Sequence, residues 1–195
     1  MEDSLDLENE EKIILYSLGA LDRTPLRSKI KLHKLLFLFS NVFKDFKDLF
    51  EFEPHLFGPY SETINYLLED LEKLGLVEVQ GNKYKLTEKG SRLFKKLNPN
   101  PEVIKVLEDF KEFLNDLTDD EILAFIYVSY PKYIEESAKW EKLKKIRDRL
   151  ALSLLRKHKV SFGKAVEISG LKSSDFEDLA KKMEIRWRHD YKDLG

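Results

Sequence analysis

The run Asn98-Pro99-Asn100-Pro101 is the feature that most constrains this chain. Each proline lacks a backbone donor and drives the residue before it out of the helical region, so no helix or strand runs through the tetrapeptide. The chain must build its elements separately on either side. Before the break, Ile14, Leu18 and Leu21 keep helical spacing. Leu32, Leu35, Leu36, Phe39, Val42, Phe43 and Phe46 trace a fuller i, i+3, i+4, i+7 stripe, which Phe37 and Leu38 widen. That breadth predicts a central helix. After an extended stretch from Phe52 to Tyr60, Ser61 suits the N-cap of a third helix with Ile64, Leu67, Leu68, Leu71 and Leu74 on one face, and Gly75 ends it. Val77 and Val79, then Tyr84 and Leu86, alternate with polar residues about a Gly81-Asn82 pair, which predicts a β-hairpin. Thr87 caps a closing helix that contains Leu93, Phe94 and Leu97. Three helices, a hairpin and a closing helix are the elements of a winged helix, here over residues 10 to 97.

Beyond the prolines, Val103, Val106, Leu107, Phe110, Leu114 and Leu117 share one helical face. A short apolar helix from Thr118 to Ser129 follows, then a break at Pro131 and a longer helix carrying Trp140, Leu143, Ile146, Leu150 and Leu154. Residues 101 to 150 thus form a helical connecting region. In residues 151 to 195, two helical stretches flank Gly170-Leu171-Lys172. Small Ala165 permits close approach, Gly170 supplies the turn, and Leu171, Phe176 and Leu179 fill the space between. This is helix-turn-helix spacing. The expected fold is mainly α, with an N-terminal winged helix that includes a short β-hairpin, a helical middle and a C-terminal helix-turn-helix. Met1 to Glu11 holds six acids and no Lys or Arg, so it reads as a frayed arm with order beginning near Lys12.

Several chemistries are excluded at once. The chain has no Cys, which removes disulfides, thiol nucleophiles and Cys-based zinc sites and makes a cytoplasmic setting the expectation. Its longest apolar run, Ile122 to Val128, falls far short of the ~20 residues a membrane helix needs. His33, His55, His158 and His189 are scattered, the glycines are isolated, and no Gly-x-Ser-x-Gly elbow occurs, so no catalytic or metal site and no cofactor is expected. Charged residues make up 36% against ~25% in an average protein, with one Gln, a composition that suggests a thermophile.

Charge also bears on DNA. The third helix, at the position that enters the major groove in a winged helix, carries Glu62, Glu69, Asp70 and Glu72 against Lys73 alone, which repels phosphates. Arg23, Arg27, Lys29, Lys31 and Lys34, with Lys83 and Lys85 in the hairpin, form a more basic cluster. Residues 151 to 195 lean basic, with 10 basic against 7 acidic side chains. There and just upstream, Arg147, Arg149, Arg156, Lys157, Lys159 and Lys164 are the candidate phosphate contacts, able to position the unit without reading sequence. At the end of the chain Trp187, Tyr191 and Leu194 fall at i, i+4 and i+7, one helical face among charges, and are candidate partner anchors. Phe57 and Tyr60, either side of a rigid Gly58-Pro59 turn, are the other candidates.

Two stretches resemble known families. Lys31-Leu-His-Lys-Leu-Leu-Phe with the later Phe57-Gly58-Pro59-Tyr60 resembles the Panacea antitoxin domain, whose signature is a Lys-Leu-x-Lys-Leu-Leu-Tyr helix and a Tyr-Gly-Pro; Phe37 and Phe57 stand where Tyr is common. Lys159-Val160-Ser161, Gly163-Lys164-Ala165, Gly170-Leu171, Phe176 and Asp193-Leu194 resemble a small uncharacterised family of prokaryotic antitoxin-like proteins. Arg186-Trp187-Arg188-His189 departs from that family's acidic tail. The resemblance implies a non-enzymatic protein that binds a toxin, often a PIN-type ribonuclease, and represses its own operon; a homo-oligomer is compatible with it. The alternatives are a DNA-binding transcriptional regulator without a toxin partner and, more remotely, a metal-dependent nuclease.

Overall fold

A computed structural model describes residues 6–46 and 48–187. By contacts the chain divides into two units, Met1–Glu53 with Pro59–Asp116, and Pro54–Gly58 with Leu117–Gly195. The described residues are mainly helical, with one two-stranded sheet.

In the first unit α1 (Asn9–Gly19), α2 (Lys29–Val42), α3 (Glu62–Lys73), β1 (Val77–Gln80), β2 (Lys83–Leu86) and α4 (Glu88–Leu97) follow the order of a winged helix. The antiparallel strands pair Val77 with Leu86 and Gln80 with Lys83, and Gly81 turns between them at φ +61°. An isolated β-bridge borders this sheet. Leu26, between α1 and α2, exchanges hydrogen bonds with Tyr84 at 3.0 and 2.9 Å. Ser61 and Thr87 cap α3 and α4 as their positions predict, their hydroxyl oxygens accepting from the N–H groups of Ile64 and Gly90. The core is built by Ile14, Leu15 and Leu18 of α1, Leu32, Leu35 and Phe39 of α2, and Ile64 and Leu71 of α3, all fully buried. Each such side chain stabilises the fold by about 1.5–3 kcal/mol relative to exposure.

In the first unit the structure corrects three expectations. Order begins before Lys12, because the acids that read as a repelling arm make a capping box: Glu8 and Glu11 satisfy each other's backbone donors, and Leu7 is buried. The Leu32 to Phe46 stripe leaves the helix at Val42, which is exposed. Phe43 and Phe46, the latter in a 3-10 turn, fold back so that their rings lie 5.0 and 5.3 Å from Phe39. The basic cluster at the start of α2 is also reduced, since Lys31 and Lys34 are buried in the unit.

After the prolines, α5 (Pro101–Asn115) packs on α1 and α2, so it belongs to the first unit and the division by contacts falls after Asp116. The second unit contains α6 (Asp119–Ser129), α7 (Trp140–Lys144), α8 (Arg147–Arg156), α9 (Phe162–Ser169) and α10 (Ser173–Lys182). The single helix expected around Trp140 to Leu154 is two, α7 and α8. The apolar periodicity reads through their break because both pieces turn toward α6: the Trp140 ring meets Tyr127 edge-on at 5.7 Å, and α8 packs along α6. Gly170, at φ +72°, ends α9 in the left-handed conformation that lets α10 follow after a short turn. Ala165, Ile168, Phe176 and Ala180 are fully buried in this helix-turn-helix.

Candidate partner-binding surfaces

The entry to α3 is fixed by α2. Lys34, buried, donates to the Pro59 carbonyl at 2.8 Å, and the Ser61 N–H donates to His33 Nδ1 at 3.3 Å. Tyr60 stacks on the His33 ring at 4.8 Å, its hydroxyl donates to Glu62 Oε2 at 2.6 Å, and it accepts from Asn65 Nδ2. The hydrogen bond to Glu62, with burial, holds the Tyr60 phenol above its usual range. Tyr60 is thus a locked part of the turn into α3. Phe57, in the second unit, is exposed, with the Lys139 ammonium 5.8 Å from its ring centre.

A helix-turn-helix joins its two helices by a turn of about 3–4 residues. Here residues 43 to 61 separate α2 from α3. The outer face of α3 presents Glu62, Tyr66, Glu69, Asp70 and Lys73, and the Lys73 ammonium is held by Asp70 at 2.9 Å. In the hairpin, Lys85 is neutralised by Glu78 at 3.0 Å. The basic side chains the sequence places in this unit are largely committed: Lys31 donates to the Asn115 carbonyl at 3.2 Å, and Arg23 lies 4.0 Å from Glu88. Arg27 and Lys29 are exposed.

In the second unit the six candidate phosphate contacts have different fates. Arg147 is a clamp: its guanidinium donates to the carbonyls of Ile168 and Glu167 at 2.6 and 2.7 Å, satisfying the last turn of α9, and lies 5.4 Å from the Trp140 ring. Lys157 donates at 2.8 Å to Glu121, which is buried and also accepts from Ser153 at 2.6 Å and from the Thr118 N–H at 2.7 Å. Burial pushes the Glu121 carboxyl up, but these donors outweigh it and hold the group below the usual carboxylate range. Lys164 pairs with Glu167 one turn along α9. Arg149 and Arg156 are exposed and Lys159 is half-buried. The α10 face begins with Asp175 and Asp178 exposed, and its Lys181 is paired with Glu177 at 2.6 Å.

Trp187 stacks on Phe162 at 4.9 Å, nearly parallel at 20°, and the two rings form one wall of a groove of about 570 Å³ that Leu155, His158 and Lys159 also line. Trp187 is therefore placed on its own unit. Tyr191 and Leu194 lie outside the described residues. Among the described residues no group of His, Asp or Glu is placed to hold a metal ion, and no helix is long and apolar enough to cross a membrane.

Sequence reasoning missed Arg147's clamp and the buried Lys111 on α5. Lys111 had a signal. It falls on the apolar face of that helix, four residues after Leu107 and three before Leu114, where a charged residue needs partners.

The first unit follows the element order of a winged helix and the second contains a helix-turn-helix, and carboxylates stand on the exposed faces of α3 and of the first half of α10. The family model described as Uncharacterised protein family (UPF0175) matches residues 125–195, a stretch running from within α6 through α10. No curated protein and no solved structure matches the chain.

Proposed function

We propose that this chain is a non-enzymatic antitoxin-like protein that binds a cognate protein toxin and contacts its own promoter weakly. The observation that carries the reading is the charge on α3 and α10. Both stand where such folds read bases, yet α3 offers four carboxylates and a single ion-paired lysine, and the first half of α10 carries Asp175, Glu177 and Asp178, with Lys181 and Lys182 only in its last turn. Helices so charged are repelled by phosphates and suit a protein surface instead. The family match over α6 to α10 supports the C-terminal resemblance. The N-terminal resemblance is carried by its sequence motif, two residues of which, Lys34 and Pro59, are joined by a hydrogen bond. A PIN-type ribonuclease is the kind of toxin these resemblances imply.

A second reading, a DNA-binding regulator with no toxin, is favoured by the element order of the first unit and by the exposed Arg149 and Arg156 of α8. Co-expression separates the two. The product of the reading frame adjacent to this one, induced alone in a bacterial host, is expected to arrest growth, and co-expression of this chain to restore it. A harmless neighbour, or arrest that this chain does not relieve, would favour the regulator.

A further inference from the structure

The positive charge of the second unit is concentrated in one stretch. Residues 139 to 159 carry nine basic and two acidic side chains, a net +7 inside a chain of net −2, so the remainder of the protein carries −9. Segregation of that kind marks a surface that meets a polyanion. The structure sorts these charges by what holds them. Lys144 is paired with Glu141 at 2.9 Å, Lys157 with the buried Glu121, and the Arg147 guanidinium is spent on two carbonyls of α9. Lys142 on α7, Lys145 just after it, and Arg149 and Arg156 on α8 are exposed and pair with no carboxylate among the described residues. The second acid of the stretch, Asp148, is half-buried. Arg149 and Arg156, seven residues apart, share a face of α8 with about 10 Å between them along the axis, a length over which one DNA strand carries about three phosphates.

The occupant is decided by what the surface lacks. A protein interface needs an apolar core, a membrane surface an apolar wedge, and a single strand an exposed ring on which to stack. None of the large apolar side chains that stand exposed among the described residues falls between 139 and 159, and the Trp140 ring is taken up by Tyr127 and Arg147. Deepening the weak promoter contact of the reading above, on which it rests, we infer that Lys142, Lys145, Arg149 and Arg156 form a phosphate-binding surface for duplex DNA. It follows the backbone and reads no sequence, since a duplex offers its charge without asking for an apolar or stacking partner. It needs no contact from the acidic first half of α10.

A labelled short duplex of arbitrary sequence, titrated with the full chain by fluorescence anisotropy, is the probe. Four phosphate contacts give a slope of log K against log salt of about −3.6, a loss of roughly 100-fold between about 50 and 200 mM. Each single change, such as Arg149→Gln or Lys142→Gln, is expected to reduce that slope by about 0.9 and to weaken binding to all sequences alike, with the melting temperature unchanged. Arg27→Gln with Lys29→Gln removes two exposed charges of the first unit and serves as the control, expected to leave the slope unaltered. A slope untouched by the four substitutions together, or reduced as much by the control, would overturn the surface while leaving the toxin-binding reading, which co-expression tests, standing. Displacement of the duplex by poly-glutamate at equal charge would overturn it in favour of an acidic protein. Absence of duplex binding even at the lowest salt would overturn both the surface and the promoter contact.

Discussion

Replacing Gly90 with alanine is expected to remove much of the first unit's stability, although alanine is the better helix former by about 1 kcal/mol. Gly90 lies in the first turn of α4, where a Cβ would meet the Leu76 carbonyl oxygen at 2.0 Å and its carbon at 2.9 Å. Backbone cannot step aside as a side-chain tip can. Thr87, the N-cap, fixes the approach: its N–H donates to the Leu76 carbonyl at 3.0 Å and its hydroxyl to that of Gly75 at 2.6 Å. Relief would require α4 to lift away, exposing the Phe94 ring that packs edge-on against Tyr16 at 6.2 Å. Overpacking of this kind costs roughly 3 kcal/mol or more, a large share of the total stability of a domain. Gly163→Ala in α9 is the matched comparison, since only Ser161 Oγ comes near, at 4.0 Å. It is expected to be neutral or to stabilise by about 0.5–1 kcal/mol. Denaturant melts of the two variants check both signs.

Lys111→Ala is expected to cost about 3–5 kcal/mol, through two buried carbonyls left without donors and the cavity left by the side chain. The Lys111 ammonium is fully buried and donates to the carbonyls of Leu18 and Ala20 at 2.9 Å each, closing the C-terminal end of α1. The turn after α1 needs the support: Leu21, Asp22 and Arg23 all take positive φ, between +48° and +63°, and the Leu21 N–H is held by Glu108 at 3.3 Å. Burial lowers the Lys111 pKa from 10.5 to about 7, with the Glu108 carboxylate acting in the opposite direction. Below about pH 7 folded and unfolded chains both carry the proton, and the cost of burying the charge is present in full. Between about pH 7 and 10.5 the unfolded chain holds a proton the folded one has lost, so stability rises with pH across that window. The gain is on the order of a few kcal/mol, and the neutral amine still has two N–H groups for its two carbonyls. Urea titrations at stepped pH should show this rise in the natural protein and a flat profile in Lys111→Met.

The sequence made legible whatever local chemistry decides. Ser61, Thr87 and the Gly81-Asn82 turn act on residues a few positions away, so their roles can be read from neighbours. The helical stripes gave the helices and most of the core for the same reason. Features that depend on distant partners stayed hidden. Leu26 forms a β-bridge only because Tyr84 lies beside it, and Lys31 and Lys34 read as surface charge because the carbonyls that receive them belong to Asn115 and Pro59. Arg147 read as a phosphate contact; the carbonyls at the end of α9 claim it instead. For the candidate surfaces, the acidity of α3 was plain in the sequence.

The central claim is that the acidic helices face a protein. Titration calorimetry of the full chain tests it most directly, at near-physiological salt, against the purified product of the adjacent reading frame and, in parallel, a duplex carrying the promoter upstream of both genes. A protein complex with Kd of about 1 μM or tighter is expected, and duplex binding that is much weaker and fades steeply as salt rises. No heat with the protein, together with sequence-specific duplex binding at roughly 10 nM or tighter, would contradict it.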